Sequence, residues 1–191
     1  ANGRRGRRQE GARALAGDFG VAGRLDYTGT PGLLVGASGY VGKTGQGRTL
    51  NGAEVGGRTT IWDLHADWKV RGWELRGLIA GARVSDVAEL NQLNSLTGNA
   101  SIGSSQLGWY LQAGYDVLRH AGTAHQLIPF VRYEQVNTQR SVPTGFTANP
   151  ANDLTVTTLG FTWKPLPQVA TKVDYQIHSN GAHTGTNQFN A

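Results

Sequence analysis

The chain has 191 residues, enough for one ordinary domain, with 28 glycines and a hydrophobic share of 38%. It holds no cysteine, which excludes disulfides and cysteine-based zinc sites, and its apolar runs are too short for a membrane-spanning helix. The net charge of +5 gathers at the start, where residues 1–19 hold Arg4, Arg5, Arg7, Arg8 and Arg13 against Glu10 and Asp18, so the rest is nearly balanced.

That Arg/Gly-rich stretch reads as a solvated loop or arm, separate from a body over 20–191. No RNP signature accompanies it, so nucleic acid is not an expected partner. Methionine is absent even at position 1, and no signal peptide is visible. The sequence therefore reads as a processed product or a fragment.

Alternation begins at 21–28, where Val21, Gly23, Leu25 and Tyr27 oppose Arg24 and Asp26. It continues through 33–42, with Leu33, Val35, Ala37, Gly39 and Val41 on one face. Residues 60–70 give the plainest pattern: Thr60, Trp62, Leu64, Ala66, Trp68 and Val70 face one way, Ile61, Asp63, His65, Asp67 and Lys69 the other. A tryptophan near each end of the apolar face, with charges opposite, fits a strand that crosses a bilayer and lines a wet interior. Further strands are predicted at 73–83, 109–117, 127–135, 157–164 and 169–178. Each is about as long as a tilted membrane strand requires.

The links sort by length. Short turns are predicted at 30–32, 71–72, 119–125 and 165–168, and long polar links at 43–57, 84–106, 137–152 and 179–187. Short turns on one rim and long loops on the other characterise outer-membrane barrels. In the loop 84–106, Ser85 is placed to cap a short helix with Val87, Leu90 and Leu93 on one side. Such a loop either folds into the pore or covers the outer rim. Residues 187–191 give half of a ninth strand. An odd count predicts further strands upstream, so the chain is expected to be the C-terminal part of a larger barrel.

Three stretches carry a family resemblance. Ile128-Pro129-Phe130-Val131-Arg132-Tyr133-Glu134 resembles the PF-x-RYE strand of large Gram-negative porins. Asn149-Pro150-Ala151-Asn152-Asp153 with 157–165, and Val173-Asp174-Tyr175-Gln176, resemble the segments that follow it. Together they resemble the phosphate-selective porin (O and P type) superfamily and its relatives, mainly over 107–191. The resemblance implies an all-β, antiparallel transmembrane β-barrel of 16 strands, of which eight or nine are present. It also implies an outer-membrane location, a homotrimer, contact with membrane lipid and lipopolysaccharide, and passive passage of small ions or solutes, with no cofactor.

The expected pore-lining residues are Arg24, Asp26, Asp63, His65, Asp67, Lys69, Glu74, Arg76, Arg132, Glu134, Lys164, Lys172 and Asp174. The expected lipid-facing aromatics are Trp62, Trp68, Trp73, Trp109, Tyr115, Tyr133, Trp163 and Tyr175. The phosphate-selective members carry ladders of pore arginines and a lysine cluster. Mixed signs here argue against strong phosphate selectivity. Arg132, Lys164 and Lys172 form the best cationic cluster, which either selects solutes or pairs with neighbouring carboxylates to hold the wall.

No catalytic function is expected. There is no GxSxG elbow, Gly42–Gly47 lacks phosphate-loop spacing, and the five histidines show no metal-ligand spacing. The rival readings are a structural or interaction barrel with a plugged lumen, and a soluble β-barrel or sandwich.

Overall fold

A computed structural model describes residues 17–191; the arm expected over 1–19 lies outside the described residues apart from its last three positions. The alternating runs become strands: β1 (Gly20–Tyr27), β2 (Leu33–Gly42), β5 (Thr59–Val70), β6 (Trp73–Val84), β7 (Ser105–Tyr115), β8 (Gln126–Ser141), β9 (Asp153–Leu166), β10 (Val169–Asn180) and the short β11 (Gln188–Asn190). The first long link carries a small hairpin, β3 (Thr49–Leu50) and β4 (Ala53–Glu54), and the second a helix, α1 (Val87–Leu93). The nine main strands form one antiparallel sheet in sequence order, β1-β2-β5-β6-β7-β8-β9-β10-β11. The sheet is open, with β1 at one edge and β11 at the other.

Register fixes the faces. One row runs Leu33, Trp68, Leu75, Ala113, Val131, Leu159, Tyr175 and Phe189 across eight strands without a polar residue. Most charged positions fall on the opposite face; Arg83 and Asp153, at the long-loop ends of β6 and β9, share the face of the apolar row.

Several strand ends differ from expectation. β7 starts at Ser105 rather than 109, and it stops at Tyr115 rather than 117 because buried Asp116 turns the chain by accepting the Leu118 and Leu127 amides at 3.1 and 3.2 Å. β8 continues to Ser141 and β9 starts at Asp153. The β8 extension from Asn137 to Ser141 is polar on both faces, where alternation carries no signal. The added start of β9 sets Leu154 and Val156 on the polar face, opposite to the pattern of the rest of the strand.

Ser85 is not the helix cap. Asp86 holds that position in a left-handed conformation (φ 53) without a side-chain cap bond. Ser85 Oγ instead accepts the Arg58 amide at 3.0 Å, and Asp86 Oδ2 accepts the Gly57 amide at 2.9 Å. The helix start is thus tied to the preceding loop rather than to its own first turn.

The long links pack on each other. Val55, Val84, Val87 and Leu90 form a small apolar core, joined by Leu50, Leu93 and Ile102. Val84 shares the polar face with Ala82 and Ala80, so α1 leans over that face at the long-loop rim. Fully buried polar side chains knit the loops. Asn91 donates to Ser101 Oγ at 2.7 Å and accepts the Ile102 amide at 2.9 Å. Gln139 donates to the Ser101 carbonyl and accepts the Asn149 amide at 2.6 Å.

Removing a buried acceptor strands its donor, at a cost of about 1–3 kcal/mol. Asn91→Ala is expected to speed hydrogen exchange at Ile102 and its neighbours while the strand amides keep their protection. Unchanged exchange at Ile102 would refute the role given to Asn91.

Candidate functional site

The two faces reverse the polarity of a soluble fold. Leu25 is 80% exposed, Leu111 63% and Trp73 48%, whereas Asp174 on the opposite face is 6% exposed at its side chain. Among the described residues, the buried apolar side chains of the main sheet, Val84, Ile128, Phe130 and Val156, all lie on the polar face. No core lies beneath the apolar face. An unpartnered apolar surface of this extent marks contact with another apolar phase or partner.

The eight aromatics expected to face lipid all lie on this face, and they sort into two lines. Tyr27, Trp68, Trp73, Tyr115 and Trp163 form one, nearer the short turns. Trp62, Trp109, Tyr133 and Tyr175 form the other. Neither line follows a hydrogen-bond row. The row through Tyr27 reaches β9 at Thr157, six residues short of Trp163. Six residues over six strand spacings is roughly 20 Å against roughly 29 Å, a slope of about 35°. From Trp62 to Tyr175 the drift is six residues over five spacings, about 40° by the same dimensions. The lines are nearly parallel. Within them Trp73 meets Tyr115 at 5.0 Å between ring centroids, and Trp109 meets Tyr133 at 5.5 Å.

On the polar face the charges are partnered. Arg24 Nε lies 2.8 Å from Asp26 Oδ2, and its Nη2 lies 2.9 Å from His65 Nε2. His65 Nδ1 contacts Asp63 Oδ1 at 2.7 Å, and Asp63 also accepts from Ser38. Gly36 gives this cluster its room: a Cβ there would overlap Asp26 Oδ1 and His65 Nε2. Arg132 pairs with Glu134 at 2.5 Å and stacks on Tyr110 at 3.9 Å. Lys172 pairs with Asp174 at 3.0 Å and lies 4.8 Å from the Phe130 ring centroid. Asn190 donates to Asp174 at 2.9 Å, holding β11 on β10. Sequence parity placed Tyr110 and Phe130 on this face, but nothing in the sequence signals that Ser38 and Asn190 complete these clusters.

Asp67, Arg76, Glu74 and Lys164 make a chain, through Arg76–Asp67 at 2.9 Å, Arg76–Glu74 at 3.8 Å and Lys164–Glu74 at 3.2 Å. Its last link fixes the curvature. In register Glu74 is level with Gly160, three strands away and four residues from Lys164. On a flat sheet their Cα atoms would stand roughly 20 Å apart, beyond the reach of the two side chains. The sheet therefore curls with the polar face inside, around a hollow of about 320 Å³ lined by Lys69, Glu74, Asp116, Gln126 and Lys164.

Each member of the expected cationic trio holds its own carboxylate, Arg132 with Glu134, Lys164 with Glu74 and Lys172 with Asp174, which is the wall-pairing alternative. Of the expected pore-lining charges, Lys69 has no carboxylate within ion-pair distance among the described residues. His120 and His125 are exposed on the turn after β7. No group of three or more His, Cys, Asp or Glu side chains among the described residues could hold a metal ion, and no described helix is long and apolar enough to cross a membrane.

No family model matches the chain. An uncharacterized protein of Aquifex aeolicus (strain VF5) is 32% identical over 175 residues. That match covers 88% of this chain but 39% of the relative, so the chain spans about two fifths of the relative's length.

Glu74→Gln and Lys164→Gln, singly and together, are expected to show a coupling of about 0.5–1 kcal/mol, the upper range for solvent-accessible pairs, since both side chains are largely but not fully covered. The measurement is a double-mutant cycle by urea unfolding of the full-length protein. Strict additivity would mean that the two strands do not curl toward each other.

Proposed function

We propose that the chain is part of the wall of an outer-membrane β-barrel, related to the phosphate-selective porin superfamily and passing small hydrophilic solutes along its polar face. The observation that carries this reading is the apolar face without a core, bounded by two aromatic lines. Their slope of about 35–40° matches the tilt of strands in outer-membrane barrels, where such girdles mark the two interfaces. A soluble sandwich would cover that face with a second sheet. The curl around the polar side supports a wet interior, and in a bilayer the free edges of β1 and β11 would need strand partners.

Pairing sets the selectivity. Carboxylates stand beside most cations of the polar face, so the wall is nearly neutral and the pore is general, with at most a weak anion preference from Lys69. This departs from the strong phosphate selectivity of the arginine-ladder members. Passive diffusion needs no cofactor, and none is proposed.

Step conductance of the full-length protein in a planar bilayer tests the reading. Its absence would leave the plugged structural barrel as the better account. Replacing Arg132, Lys164 and Lys172 together by Gln leaves Glu134 and Asp174 uncompensated and Glu74 with only Arg76, which it shares with Asp67. The reversal potential in a salt gradient is then expected to move toward cation preference, and no movement would remove these residues from the conduction path.

A further inference from the structure

We propose that the short-turn rim carries a binding site for an anionic phospholipid, with Arg71 and Arg119 taking the headgroup phosphate and the apolar face above them taking an acyl chain. This site rests on the membrane reading above.

The rim is built by two turns locked together. Arg71 and Gly72 form the two-residue β5–β6 hairpin turn, both with positive φ (48 and 88), as a type I′ turn requires. The Asp116 amide donates to the Gly72 carbonyl at 2.9 Å, and the Arg119 amide donates to the Asp116 carbonyl at 3.3 Å. Arg119 consequently lies across the neighbouring hairpin. A Cβ on Gly72 would stand 2.9 Å from Arg119 Cδ and 3.2 Å from Tyr115 Cε2. Arg119 thus borders the Trp73–Tyr115 pair of the lower aromatic line.

Both arginines are exposed, and neither has a carboxylate within 4.0 Å among the described residues. The nearby acids are engaged elsewhere. Asp116 is buried and holds two amides, while Glu74 points to the other face and holds Lys164 and Arg76. Arg119 stands beside the aromatic girdle and Arg71 on the adjoining turn, where Arg71 also borders the polar-side hollow. Such a pair of guanidiniums can form paired hydrogen bonds to phosphate, the Arg119 stem running along apolar surface.

Two register rows above Trp73 and Tyr115, on the same face, stand Leu75 and Ala113. They open a nearly apolar hollow of about 580 Å³, walled by Trp68, Leu111, Val131 and Tyr133. Its size is that of ordinary small-ligand sites. A free phosphate would use only the arginines, and exposed arginines bind such ions weakly at physiological salt. A ligand carrying phosphate and hydrocarbon on one molecule uses both halves.

The test reconstitutes the full-length protein into nanodiscs of phosphatidylcholine with a minor fraction of phosphatidylglycerol. Retained lipid is then counted by native mass spectrometry. Wild type is expected to retain phosphatidylglycerol selectively, with Arg71→Gln and Arg119→Gln each weakening retention about fivefold. Ala113→Leu, which fills the hollow and leaves the charges in place, is expected to weaken it as well. Equal retention by wild type and the Arg71→Gln/Arg119→Gln variant would overturn the site. Displacement of the lipid by millimolar inorganic phosphate would overturn its lipid half, reducing it to an anion site. Entry into nanodiscs without preference for the anionic lipid sinks this site alone. Failure to enter them sinks the membrane reading as well.

Discussion

The apolar side chains of this sheet have no protein to pack against, and the rest of the architecture follows from that constraint. A fully buried large apolar side chain stabilises a soluble fold by about 1.5–3 kcal/mol. Here the rows from Val21 to Phe189 gain only the part that lateral neighbours supply, and side chains such as Leu25 and Leu111 stay 80% and 63% exposed. A hydrocarbon solvent would supply what a core does not. It would also demand that every spanning backbone group be paired, and the eight antiparallel pairings of the main sheet meet that demand everywhere except at its two edges.

The polar face answers a different requirement. Charges brought together by inward curl repel unless signs alternate, and here they alternate between strands as well as along them. Arg24 reaches His65 across β2, and Lys164 reaches Glu74 across β7 and β8. The partnering that holds the wall also lowers its net field. In a pore of the kind proposed, stability of the wall and strong ion selectivity would compete for the same side chains. The long links stand outside this competition. They have a small conventional core of their own around Val55 and Leu90, with buried amides from Asn91 and Gln139 taking the place of further strands.

Much of the sheet was legible in the sequence because a lipid-type face writes a period of two into every strand. Residues 60–70 are read correctly to within one position for that reason. The signal stops where the apolar band stops, so the upper part of β8, Val-Asn-Thr-Gln-Arg-Ser, reads as loop although it is strand. The helix was legible from Val87, Leu90 and Leu93, but its cap was not, because Ser85 and Asp86 bond to Arg58 and Gly57 instead of the first turn. The slope of the aromatic lines was hidden for another reason. Each strand shows its own aromatics, but only the register between strands shows that they drift.

The Glu74–Lys164 contact joins positions 90 residues apart on strands that share no hydrogen bond. A change of sign at one position leaves a like-charged pair at the other, so inherited substitutions there should travel together. The correlated partners would lie three strands apart rather than on adjacent staves. In an alignment of related chains, such pairs would record the curvature of the wall, which strand-to-strand pairing alone cannot encode.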